Sequence, residues 1–141
     1  MLIRILIFIA FFFNSNLNAQ DESCIGLTKE EVKKVMKEQY RSFAPDNTVT
    51  KQHFNYLKYA NNSETMTWII YFSDDDICTS TKKVCDYIEY DYVLKELNEK
   101  YTLVKEGTWE YQSGKKRFVI TIEEKDWYFS VGEREKVKSM K

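Results

Sequence analysis

Three cysteines (Cys24, Cys78 and Cys85), a single histidine (His53) and one acidic run, Asp74-Asp75-Asp76, are the side chains best equipped for chemistry in this sequence. Acyl transfer needs a nucleophile, a base within reach and a group that orients the base. His53 is the only imidazole, it stands beside Phe54 at the start of an extended stretch, and no Gly-x-Ser-x-Gly, His-Glu-x-x-His or glycine-rich phosphate loop accompanies it. The expectation is a strand residue rather than a catalytic base, in a chain that is not an enzyme and uses no cofactor. Structural zinc calls for paired cysteine or histidine ligands, and no Cys-x-x-Cys occurs, so no metal ligands are assigned. The aspartates offer oxygens to calcium, but the twelve-residue ligand pattern is missing and a solvated turn explains them.

Cysteine pairing depends on compartment. Three is an odd number, so at most one internal bridge can form. Cys78 and Cys85 enclose the polar stretch Thr79–Val84, which could turn back on itself, and form the first candidate disulfide. Cys24 with either of them is the alternative, and three small buried thiols compete equally with both.

The compartment is suggested by the first nineteen residues. Arg4 precedes the apolar run Ile5–Phe13, and Leu17-Asn18-Ala19 suits a signal peptidase cutting before Gln20. The run is too short for a permanent span, which takes about 20 apolar residues. Met1–Ala19 is therefore expected to be a signal peptide, giving an exported, periplasmic or secreted protein with no stable membrane span after cleavage. The whole chain has 141 residues, 43% of them hydrophobic and 30% charged, with a formal charge of -1. That excludes disorder and a strongly basic nucleic-acid binder, and suits one small domain over residues 20–132, followed by a charged tail over 133–141.

Inside that domain the elements come in a repeating order. Thr28 with Glu31 forms a capping box, and Val32, Val35, Met36, Tyr40 and Phe43 line one face of a helix predicted over Thr28–Phe43. Strands are expected at Phe54–Tyr59, Thr65–Phe72 and Ile77–Thr81. A second helix follows over Tyr90–Tyr101, then an extended Leu103–Tyr111 kinked at Gly107, and strands at Arg117–Ile122 and Trp127–Val131. Val32 matches Val93 and Tyr40 matches Tyr101 at an offset of 61, while Trp68–Phe72 matches Phe118–Ile122 at an offset of 50. The predicted fold class is α+β: a two-layer domain whose antiparallel sheet is packed by two helices, with repeats over 27–81 and 89–132, each an α-β-β-β unit.

Alternation then separates two sheet faces. Trp68, Ile70, Phe72, Phe118, Ile120, Ile122, Trp127 and Phe129 are assigned to the helices. Tyr56, Ile69, Tyr71, Arg117, Val119 and Tyr128 are left on the other face, and Tyr and Arg are favoured anchors in protein interfaces.

The stretch Gly26-Leu27-Thr28-Lys29-Glu30-Glu31-Val32-Lys33-Lys34-Val35-Met36 resembles the opening of small exported domains related to the β-lactamase-inhibitor protein, a start shared by the small lipoprotein of the outer-membrane assembly machine. The duplicated helix-plus-hairpin layout looks like the tandem-repeat inhibitor. A lipobox is absent, since Asp21-Glu22-Ser23 precedes Cys24. The resemblance implies a non-enzymatic domain that binds another protein with a sheet face. The expected function is thus protein binding through the Tyr-rich face, with a protein partner in the envelope or outside the cell and no nucleic acid. A structural, envelope-maintaining role through oligomerisation, with the Phe54–Tyr59 edge pairing chain to chain, is the alternative. Small-molecule binding would need a cavity between a helix and the sheet.

Overall fold

Thr28 starts the first helix as the sequence requires. Its side-chain oxygen accepts from the Glu31 amide at 3.2 Å, and the Glu31 carboxylate accepts from the Thr28 amide at 2.8 Å, which satisfies two amides that a helix start would otherwise leave without partners. In the computed structural model, which describes residues 23–48 and 53–138, helix α1 spans Lys29–Gln39 and turns Val32 and Met36 into the core. The signal assigned to Met1–Ala19 lies outside the described residues. Among the described residues no helix is long and apolar enough to cross a membrane.

α1 stops four residues before its predicted end. Tyr40 and Phe43, placed by spacing on the helical stripe, instead turn their rings edge-on to Trp68, with centroids 4.8 and 5.6 Å away. The chain reverses between them, and Phe43–Pro45 forms strand β1, which pairs with β2 (Tyr56–Asn61). Pro45 is tolerated because β1 is the outermost strand, where a missing amide breaks no ladder. β3 (Met66–Phe72) follows as expected.

The next strand corrects the sequence reading most. β4 spans Cys78–Cys85, so the polar residues taken for a turn are strand from end to end. Between β4 and the second helix lies only a capped 3-10 turn, Tyr87–Glu89, before helix α2, Tyr90–Lys100, which buries Val93 and Leu97. Leu103–Tyr111 is two strands rather than one. β5 (Thr102–Lys105) and β6 (Thr108–Ser113) flank a turn in which Gly107 takes φ 70°, a conformation that glycine adopts without the steric cost borne by other residues. β7 spans Lys116–Glu124 and β8 spans Phe129–Glu135, so Glu133-Arg134-Glu135 belongs to the sheet and not to a tail.

The eight strands form one antiparallel sheet in the order β1-β2-β3-β4-β8-β7-β6-β5. The molecule is α+β with strand dominant. Each helix is followed by a four-strand meander where the expected unit had three strands, because β1 begins at the predicted helix end and β5 and β6 were expected as one strand; the meanders join through their last strands, β4 and β8. Val32 and Met36 share a core cluster with Tyr59, Trp68, Ile70, Phe72, Cys24 and Cys78. Val93 and Leu97 share a second with Cys85, Trp109, Ile120, Phe129 and Val131. Trp127, expected to face a helix, is 88% exposed. It sits in the β7–β8 turn, which closes where the Lys125 amide donates to the Tyr128 carbonyl at 2.8 Å.

Candidate binding face

Strand pairing decides which side chains share a surface, because alternate residues point to opposite sides. Trp68, Ile70 and Phe72 point to the helix side, so Ile69 and Tyr71 point away from it. Successive cross-strand partners carry that outer side across the sheet. One row runs Tyr56, Tyr71, Ser80, Arg134, Val119, Glu110; the next runs Lys58, Ile69, Lys82, Gly132, Thr121, Thr108.

Four of the six expected face residues therefore lie in two adjacent rows: Tyr56, Ile69, Tyr71 and Val119. The Tyr56 and Tyr71 rings stand 6.4 Å apart, and partial burial pushes the Tyr71 hydroxyl above its ordinary pKa. Arg117 is exposed two residues from Val119 on the same strand. Val119 itself is only 7% exposed, since Glu110 and Arg134 flank it, so it supports the surface without offering contact area. Tyr128 is 39% exposed but stands six residues from Arg134 along the chain, which places it about 20 Å from the tyrosine pair in extended backbone.

Two further cations belong to the face, Lys82 and Arg134; the first lies just past the expected strand Ile77–Thr81 and the second in the expected tail. The β-branched residues Thr79, Thr81 and Val84, which favour strand, were the available signal for the first. Glu110, the acid of the first row, is engaged by Lys136, and Lys58 is bound to Asp46 at 2.8 Å. Lys82, Arg134 and Arg117 form no ion pair among the described residues. The surface is aromatic and positively charged, a combination that suits an acidic protein surface.

The expected Cys78–Cys85 disulfide is not formed, and all three thiols are free. The two lie at opposite ends of β4, seven residues apart and about 23 Å in extended backbone, far beyond the Cα separation of about 7 Å that a bridge can span. Burial first, then nearby negative charge, pushes Cys24 up to about 11, and burial likewise raises Cys78 to about 12 and Cys85 to about 11. None is poised as a thiolate nucleophile. His53 is exposed in the turn before β2.

Asp76 has a mechanical task. It takes φ 59° at the β3–β4 turn, and its carboxylate accepts from Asn55 at 2.7 Å and pairs with Lys29 at 2.9 Å, holding the start of α1 to the turn. On the helix side, Glu133 accepts from Ser23 at 2.7 Å and from Tyr111. Those bonds satisfy a carboxylate that strand pairing directs inward. Set against family models, curated proteins and solved structures, the chain matches none.

Proposed function

We propose that this is an exported, non-enzymatic domain that binds an acidic protein partner on the sheet face opposite its helices. The observation that carries the reading is the row of Tyr56, Tyr71 and Arg134 with Ile69 and Lys82 beside it, on the side that neither helical core cluster occupies. Eight strands at about 4.8 Å spacing give a width of roughly 35 Å, enough for the about 800 Å² that a partner of a stable interface buries.

The finer fold assignment in this proposal is a two-layer domain made of two copies of one α-β-β-β-β unit. It is supported by the central register: Lys82 pairs with Gly132, its counterpart at an offset of 50, and the pairs Thr81–Glu133 and Lys83–Val131 exchange under the same offset. Paired strands also set Tyr59–Trp68 against Trp109–Ile120, so the third strands correspond at an offset of 52 and not 50. The mature chain begins at Gln20 in this reading, and the Gly26–Met36 resemblance to exported inhibitor-like domains agrees with a binding role.

The test is affinity capture from an envelope extract. Wild-type protein is expected to retain one partner in fixed stoichiometry, a Tyr71→Ala, Arg134→Ala variant to lose it, and Tyr128→Ala to keep it. Equal retention by all three would sink the face assignment. A second reading, oligomerisation, is favoured by β5, an outer strand with all four residues exposed, Leu103 and Val104 among them. Of the edge expected for it, Phe54–Tyr59, the end is taken up: Tyr59 pairs with Pro45 of β1, and the Lys58 carbonyl accepts from the Asp46 amide at 2.8 Å. Light scattering that finds a stable dimer, abolished by Val104→Lys, would favour that reading instead.

A further inference from the structure

We infer that the cleft between α1 and the β1–β2 edge is a site for a single-chain anionic amphiphile, an alkyl carboxylate of the fatty-acid class. The cleft has a volume of about 770 Å³, inside the roughly 300–1,000 Å³ usual for small-ligand sites. Its floor is apolar: Met36 from α1, Phe43 and Pro45 from β1, Leu57 and Tyr59 from β2. Phe54 stands in the lining with 63% of its surface exposed, a large apolar side chain with little to cover it.

One wall is positively charged. Lys33 and Lys37, four residues apart, share one side of α1, and Arg41 follows in the turn after it; all three line the cleft. Lys33 is held by Glu30 at 2.9 Å, and Lys58 by Asp46, the one acid among the described lining residues, at 2.8 Å. Lys37 and Arg41 form no ion pair among the described residues. An alkyl chain on the floor thus brings its carboxylate to two cations that no acid among the described residues neutralises. An extended peptide is the poorer occupant. It would add to the sheet through β1, which is three residues long and lacks an amide at Pro45.

Titration with dodecanoate, dodecanol and dodecyltrimethylammonium, each kept below micelle formation, tests the assignment. Dodecanoate is expected to bind saturably at one site and about tenfold or more tighter than dodecanol, with the cation weakest. Lys37→Glu, Arg41→Glu is expected to erase that preference at an unchanged melting temperature, and Phe54→Ala to weaken dodecanoate and dodecanol alike. Methyl resonances of Met36 and Leu57 should shift on binding while those of Leu97 and Val131 stay. Equal affinity for the three headgroups, indifference to the charge reversal, shifts confined to the apolar run Ile5–Phe13, or an acidic peptide that displaces dodecanoate at lower concentration would each overturn it. None of these variants touches Tyr71 or Arg134, so failure here and failure of the protein-binding reading are separable.

Discussion

Cys24, Cys78 and Cys85 show how burial governs reactivity more than residue type does. Each is close to fully covered and each thiol titrates well above neutrality, so iodoacetamide at pH 8 is expected to leave the folded protein unlabelled and to add three groups after unfolding in denaturant, as read by intact mass. One group instead of three would reveal a bridge. Asp46 behaves in the opposite sense. Hydrogen bonds from Lys58, then from Thr48, hold its carboxyl down to about 2, below its ordinary 3.8. A folded-state value below the unfolded one means that the interaction supports the fold above about pH 4 and is lost as pH falls towards 2. A carboxyl NMR titration should place the Asp46 midpoint near 2 in wild type, and Lys58→Met should move it up towards 3.8. A midpoint unmoved by that substitution would show that Lys58 is not the cause. Tyr128→Ala is expected to change stability by no more than about 0.5 kcal/mol in denaturant unfolding, being a turn residue on the surface.

At the scale of elements, both helices were legible because local rules and tertiary packing agree. Thr28→Ala should cost about 1 kcal/mol through loss of the cap, measured by urea unfolding. Trp109→Ala should cost about 3–5 kcal/mol, since the indole is buried against α2 and its Nε1–H donates to Asn98 at 2.9 Å. A loss below about 1 kcal/mol there would contradict the packing described. The strands that escaped notice did so for physical reasons. β4 is polar because its residues find burial and ladder partners in β3 and β8, which a local window cannot show. Glu133 looks like a frayed tail until Ser23, 110 residues away in sequence, and Tyr111 are seen to satisfy it. β1 continued the helical spacing of α1, and only the Trp68 ring explains why the chain leaves it. The same blind spot hid the alkyl cleft, whose β1 wall begins at Phe43, read as the last residue of the helix. Alternation did put Tyr56, Ile69 and Tyr71 on one face, but the covering of Val119 depends on two neighbouring strands and left no trace in its own.

The whole molecule is organised by one junction. Every strand except β4 and β8 pairs only with strands of its own meander, so those two carry the ladder that joins the halves of the sheet. During synthesis the first meander is complete some fifty residues before β8 exists, and for that interval β4 is a bare sheet edge able to recruit the wrong chain. Lys82 and Lys83 stand at the middle of that edge, and charge there discourages intermolecular pairing while leaving the eventual ladder intact. Lys82→Val is accordingly expected to raise the aggregated fraction on refolding, followed by light scattering, with little change in equilibrium stability; unchanged refolding yield would remove that role. In this reading the pair of lysines guards the edge while the protein is being made, and once the last strand arrives Lys82 serves the outer face and Lys83 lies over the Trp68 ring.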